Sequence, residues 1–330
     1  MRALVFAKHP KLQEVPIPER LPGQALIRME LAGICNTDIE IIQGYSNFRG
    51  ILGHEFVGMV AEADDQSLVG KRVVGSIDVA CGECKFCRDG EPDFCSNKKT
   101  MGMHRWQGCL ADYVVLPEAN LVIVPDNVSS VAAVFTEPVS SALQILEQAT
   151  ITPDDAVIVL GDGKLGLVTA QGFKIRGLNV TVLGKHIDKL AKASKFGVNC
   201  DFVDEFSGRA DVVIDCTGNP EGLAKAIDLV RPRGVVVIKS LYHNSGKLNL
   251  GGIVSKELTC IGSRQGSMAK AMELLATGAM DVDSLVEAVY PAADIAGAFK
   301  RAVRKGALKV LVDFSDSCEH VNLNTGGWWR

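Results

Sequence analysis

The run Val157-Ile158-Val159-Leu160-Gly161-Asp162-Gly163-Lys164-Leu165-Gly166 constrains the fold more than any other stretch of the chain. Its apolar start is a buried strand, and helical periodicity takes over across 164–176. The glycine spacing between them suits a phosphate cradle. Gly161 makes the tight turn, Gly163 lets the backbone approach a pyrophosphate, and Gly166 permits close helix–strand packing. The helix N-terminus then faces the anion. Further short apolar strands follow at 180–183, 201–203, 212–214, 235–238 and 258–261, with helical stretches at 187–196 and 220–230. Strands of this kind between helices make a parallel sheet covered on both faces. Six of them match a doubly wound, dinucleotide-binding Rossmann sheet.

The first 135 residues follow another grammar. Short β-like runs at 25–31, 56–61, 72–75 and 113–116 are broken by Gly and Pro, as in a small barrel or sandwich. The pattern changes near residue 140. After 265 come a helix at 268–277, a strand at 285–290, a helix at 295–305 and a strand at 308–313. The tail, 315–330, is polar until Trp328-Trp329, and its periodicity leaves both disorder and docking open. Residues 1–8 read as a strand whose apolar stretch is too short for a signal peptide. No apolar run reaches the roughly 18–20 residues of a membrane span. The expected compartment is the cytoplasm. With 35 basic and 39 acidic residues the net charge is −4, which argues against nucleic acid as a partner.

Four of the ten cysteines fall in one short segment, Cys81, Cys84, Cys87 and Cys95, spaced C-x2-C-x2-C-x7-C. Without a secretory signal such a cluster reads as metal ligands rather than disulfides. Four thiolates close a tetrahedral site, the signature of structural zinc. Gly82 and Gly90 let the chain wrap around an ion. An iron–sulfur cluster also takes four thiolates, but the x7 gap does not match its usual spacings.

A second, open site is suggested by Cys35 in Gly33-Ile34-Cys35-Asn36-Thr37-Asp38, by Gly53-His54-Glu55 with Gly58, and by Glu137-Pro138. Each residue alone is a weak signal. Together, in this order and with the cysteine loop and glycine fingerprint, they resemble the zinc-dependent medium-chain alcohol dehydrogenase family over about residues 1–314. Glu137 stands where other members carry Cys, which makes the chain most similar to the sorbitol, threonine and glucose dehydrogenases. The resemblance implies a β-rich GroES-like catalytic domain with both zinc sites, residues 1–138 and 265–330, around a Rossmann domain, 139–264. It implies Cys35, His54 and either Glu55 or Glu137 as ligands of a catalytic zinc, with the other Glu in support. It also marks the turns Cys216-Thr217-Gly218 and Gly262-Ser263-Arg264 as cofactor contacts. Phe48, His104 and Trp106 become pocket candidates.

The implied activity is NAD(P)-dependent hydride transfer between an alcohol or polyol and its carbonyl counterpart, with zinc as Lewis acid on the substrate oxygen. Thr37 fits as a hydroxyl relay for the departing proton. Where many relatives carry His, this chain has Glu40: a proton acceptor, a partner for a substrate hydroxyl, or a solvated side chain. The expected cofactor is NADP rather than NAD. An acidic residue about twenty positions after the first Gly ordinarily binds the ribose 2′-hydroxyl. Here the second strand ends Leu183-Gly184-Lys185-His186. Gly184 leaves room for a 2′-phosphate, and Lys185 and His186 supply charge-assisted hydrogen bonds. The alternative is a solvated Lys185, with Asp188 reaching back to the ribose of NAD. The resemblance further implies a homo-oligomer, dimer or tetramer. Two competing readings are a catalytically silent nicotinamide or redox sensor, and a nucleic-acid-binding zinc protein. Intact Cys35, His54 and Glu137 oppose the first; the acidic charge and the fingerprint oppose the second.

Overall fold

A computed structural model describes residues 1–241 and 250–315. Trp328, Trp329 and most of the tail lie outside them. The chain forms two compact units: Met1–Glu137 with the segment from Val286 onward, and Pro138–Leu285.

The second unit is built on six parallel strands. In spatial order they are Asn199–Phe202, Asn179–Gly184, Ala156–Leu160, Ala210–Asp215, Val230–Ile238 and Thr259–Gly262. That is the doubly wound order expected of the pattern, with the first strand central. Val157, Ile158, Val159 and Leu160 are all buried, as a strand covered on both faces requires. Leu160 pairs with both Leu183 and Asp215. The strands leading to Gly161, Gly184 and Cys216 therefore end at one level, where the winding of the sheet reverses. Helices Lys164–Ile175, Ile187–Lys195 and Pro220–Leu229 follow the first, second and fourth strands.

Residues 265–285, assigned from the sequence to the other domain, group with this unit. Helix Met268–Ala276 buries Met268, Ala271, Met272, Leu274 and Leu275. Lys270 pairs with Glu147 at 2.7 Å. The Gln171 side chain bonds the backbone of Asp281 through both ends, at 2.9 and 3.0 Å, and Lys192 donates to the Ser284 carbonyl at 2.8 Å. These polar ties hold the segment to the Rossmann helices after the sheet itself has ended.

The first unit centres on a mixed sheet whose longest strand, Gln24–Ile34, pairs with Glu55–Glu62, Tyr113–Pro117 and Lys309–Asp313. The returning strand Lys309–Asp313 also pairs in parallel with Val286–Pro291. Gly33 lies opposite Glu55 on one side and Leu311 on the other. That register brings the end of the longest strand, the Glu55 strand and the C-terminal strand to one place. A core including Ile27, Met29, Phe56, Leu116 and Phe299 fills this unit.

Among the helices that were not foreseen, two carry candidate residues of the open site. Asn36–Ile42 starts directly after Cys35, and Thr136–Gln148 carries Glu137 in its first turn. Pro138 falls within that first turn, where a backbone N–H has no intrahelical partner to lose.

Candidate metal centres and cofactor site

Cys35 caps the helix Asn36–Ile42. Asp38, fully buried, ties it to the next ligand-bearing segment. Its Oδ2 accepts the Cys35 N–H at 2.9 Å, and its Oδ1 accepts the Gly53 N–H at 3.1 Å. Oδ1 also faces His54 Nδ1 at 3.5 Å. That is too long for a hydrogen bond, and buried His54 Nδ1 has no bonded partner among the described residues. Burial alone would push the imidazole pKa down; Asp38, then Cys35, more than reverse this and hold it well above the ordinary range. The pocket is thus built for positive charge. One donor atom each from Cys35, His54 and Glu55 lies within 4.8 Å of the others. Sulfur, imidazole and carboxylate with a buried unsatisfied ring nitrogen fit a zinc ion.

Glu55 is 1% exposed and forms a buried ion pair with Lys309. A Cβ on Gly33 would collide with Glu55 Oε2, so the bare glycine makes room for this carboxylate. Burial alone would lower the Lys309 pKa; Glu55, Cys35 and Glu137 together more than reverse this, so the ammonium stays charged. Lys309 also lies 5.7 Å from the centre of the Phe135 ring. Glu137 therefore acts on the same cation, although it is not within the three-donor group. Neither Lys309 nor Asp38 was singled out from the sequence. For Lys309 the available signal was a lysine opening the apolar run Val310–Val312, and that lysine is buried.

Half-buried Thr37 places its hydroxyl 3.6 Å from the Cys35 sulfur. Glu40 is buried, which removes the solvated alternative. Of the pocket candidates, Phe48 belongs to the core, His104 is exposed, and the Trp106 indole N–H is satisfied by the Val115 carbonyl at 2.9 Å.

The other four cysteines converge as their spacing implied. Cys84 caps the short helix Lys85–Arg88, which contains Cys87, and Cys95 closes the 3-10 turn Pro92–Phe94. All four sulfurs lie within 4.8 Å of one another. The Cys81 N–H is directed at Cys95 Sγ, 3.2 Å away. N–H groups of Cys87 and Ser96 pull the Cys84 thiol down to about 6. Gly82 and Gly90 take the left-handed backbone that the wrap needs, φ 78° and 84°. Four clustered sulfurs served by backbone donors fit a closed zinc site.

In the second unit, the three fingerprint glycines separate by cause. A Cβ on Gly161 would lie 2.9 Å from the Cys216 carbonyl oxygen, and one on Gly166 would collide with the Gly161 carbonyl. The chain itself demands those two. A Cβ on Gly163 would meet no protein atom within 4 Å. Packing does not require a glycine there, whereas close approach by a pyrophosphate does. Lys164 and Leu165 open the helix beyond it. Thr217 Oγ1 donates to Asp215 at 2.7 Å, and the Gly218 N–H donates to Ser240 at 2.9 Å. Ser263 and Arg264 are held through Lys239, which donates to the Arg264 carbonyl at 2.6 Å.

The end of the second strand requires a correction. Gly184 does not leave open room: a Cβ there would lie 2.5 Å from Oδ2 of Asp162. The space is filled by a carboxylate from the glycine-rich turn. Lys185 is exposed and His186 half-buried, and Asp188 is exposed on the first turn of helix Ile187–Lys195.

A nucleotide-binding sheet joined to a unit with two zinc-type donor sets defines the class: a metal-dependent nicotinamide dehydrogenase. Residues 21–126 match the alcohol dehydrogenase GroES-like domain, and 165–277 match the zinc-binding dehydrogenase family. The chain is 33% identical to the erythritol/L-threitol dehydrogenase of Mycolicibacterium smegmatis, covering 85% of this chain and 88% of that protein. It is similar to the solved structure of a zinc-binding dehydrogenase of Sinorhizobium meliloti 1021 bound to NADP. The identity is 28%, coverage is 94% of this chain and 98% of that one, and the TM-score is 0.85. An Escherichia coli CFT073 alcohol dehydrogenase complexed with NADH is similar at 25% identity, with coverage of 95% and 99% and a TM-score of 0.85. The chain belongs to the zinc-dependent medium-chain alcohol dehydrogenase family. It is a zinc-dependent, NAD(P)-linked oxidoreductase of small molecules. Among the described residues, no helix is long and apolar enough to cross a membrane.

Proposed function

We propose that this enzyme interconverts a polyol and its carbonyl counterpart, prefers NADP, and carries two zinc ions per chain. The observation that carries the reading is the convergence of Cys35, His54 and Glu55 donors within 4.8 Å in a buried pocket. The M. smegmatis relative's substrates, erythritol and L-threitol, support a polyol.

Cys35, His54 and Glu55 would hold the first zinc, and Glu137 would add negative charge beside Lys309. Bound there, zinc would supply Lewis acidity to the substrate oxygen. The protein's own groups then set orientation and proton traffic. Asp38 fixes the Cys35 turn against the Gly53 turn, so two ligands from separate segments keep one geometry. Thr37, next to the Cys35 sulfur, would accept the proton leaving the substrate hydroxyl and pass it outward. Glu40 would serve as a buried partner for a further hydroxyl. Cys81, Cys84, Cys87 and Cys95 would hold the second zinc in a closed site with no position open to substrate. In the second unit, Gly161, Gly163 and Gly166 would receive the pyrophosphate, with Thr217, Gly218, Ser263 and Arg264 along the nicotinamide half. The strand end carries Lys185 and His186 rather than an acidic residue, which supports NADP.

We place the enzyme in the cytoplasm as a homo-oligomer, dimer or tetramer, which light scattering of the pure protein would read directly. The unpaired outer side of edge strand Thr259–Gly262 supports assembly. So does Val254, 77% exposed on the helix just before it.

The expected outcome with purified enzyme, NADP+ and a panel of four- to six-carbon polyols is growth of the reduced-nicotinamide absorbance. Metal analysis of the same preparation should find two zinc ions per chain. An active preparation with one ion or none, or turnover of simple alcohols alone, would refute the corresponding part.

A further inference from the structure

Asp162 stands between the first two fingerprint glycines, yet it is buried, 7% exposed. Its side chain crosses to the end of the second strand and packs over Gly184, filling the space a side chain there would need. Oδ2 accepts backbone N–H groups from Lys185 and His186, both at 2.7 Å. The His186 Nδ1 lies 3.0 Å from each carboxylate oxygen. The Lys189 ammonium, on a side chain 5% exposed, is 3.8 Å from Oδ1. Burial would raise the Asp162 pKa; the bonds from His186 and Lys185, with the charge of Lys189, bring it below the ordinary carboxylate value instead.

A carboxylate at this strand end could act in two ways. It could bind the ribose hydroxyls, as an acidic residue on the strand itself does in NAD enzymes. Or it could be consumed inside the protein and act through its neighbours. The burial of the carboxylate and the donors already turned toward it favour the second. A carboxylate offers about four lone-pair sites. Two amides occupy Oδ2, the imidazole Nδ1 is shared between both oxygens, and the carboxylate lies buried under these neighbours rather than open to a ribose. Lys189 also balances its charge, so the anion does little to repel a phosphate. Nδ1–H donates to Asp162, so the ring in its imidazolium form, which the carboxylate on one side and a phosphate on the other both favour, presents Nε2–H to a ligand.

We propose that Asp162 is a positioning residue for the 2′-phosphate of NADP. It clamps the Lys185–His186 turn and orients the His186 ring, so that Nε2 of His186 and the Lys185 ammonium meet the phosphate. This rests on the NADP reading above, and it makes the glycine-rich turn a determinant of cofactor choice.

The test uses the full-length enzyme and two adenine fragments that differ only in the phosphate, 2′,5′-ADP and 5′-AMP, titrated by calorimetry. The parent should bind 2′,5′-ADP more tightly. Asp162→Asn and His186→Gln should each weaken 2′,5′-ADP about tenfold or more, the size of one lost charge-assisted hydrogen bond, and leave 5′-AMP within about twofold. The double variant should be little worse than either single one, because Asp162 acts through His186. His186→Gln keeps the backbone clamp, so it tests the idea even if Asp162→Asn folds poorly. A parent that prefers 5′-AMP overturns the NADP reading itself. A parent that prefers 2′,5′-ADP, with both variants unchanged, overturns the role of Asp162 alone. An Asp162→Asn enzyme that loses 5′-AMP instead shows that the carboxylate reads the ribose directly, which also overturns it.

Discussion

At Lys309 a full positive charge sits inside an apolar strand, 1% exposed, and Glu55 holds it there with help from Cys35 and Glu137. Removing one member of such a pair leaves the other buried and uncompensated, which costs about 3–5 kcal/mol. Lys309→Met should lose stability of that order in chemical denaturation, and Lys309→Arg should recover most of it. A Lys309→Met protein as stable as the parent would show that the ion pair carries no structural weight. The candidate ligands Cys35, His54, Glu55 and Glu137 could be picked out beforehand because each sits in a short local pattern of the chain. Lys309 could not, because its partner lies 254 positions away and nothing near it in the chain announces the contact. The sequence left Glu55 and Glu137 as equal candidates; Glu55, not Glu137, shares the 4.8 Å group with Cys35 and His54.

The Cys81–Cys95 loop owes little of its order to a core. Its helix Lys85–Arg88 has four residues and buries none, and Phe94 is 66% exposed. An isolated turn of that length is unstable in water. Structural zinc contributes about 10 kcal/mol or more in small units that fold only around metal. Here the neighbouring sheet has its own core, so that figure is a ceiling. Cys95→Ser should lose one zinc per chain and make the loop sensitive to limited proteolysis, while the second zinc stays bound. Loss of both ions, or an unchanged proteolytic pattern, would contradict this division of labour. Most strands of the second unit were visible as apolar runs, and their helices as periodic stretches between them. Helix Thr136–Gln148 was not, because Pro138 reads as a break, although in a first turn it removes no hydrogen bond.

Across the whole molecule, the candidate metal donors Cys35, His54 and Glu55 and the glycine turn 161–166 belong to different compact units. Cys35→Ser should therefore abolish turnover while leaving reduced-cofactor binding, followed by nicotinamide fluorescence, within about threefold of the parent. Weakened cofactor binding in step with lost activity would mean that the two functions are not separable in this way. The parallel sheet, the glycine turn and the cysteine loop were all determined by the sequence itself, since each is encoded within a few consecutive residues: by side-chain period, by positive φ, or by thiols close along the chain. Tertiary structure alone decided that Glu55 reaches the donors of Cys35 and His54, that Lys309 neutralises it, that Asp162 fills the place beside Gly184, and that residues 265–285 stay with the Rossmann unit. Those outcomes depend on strand register and on side chains meeting across long loops. Local periodicity records which face a residue takes but not which distant residue will meet it there.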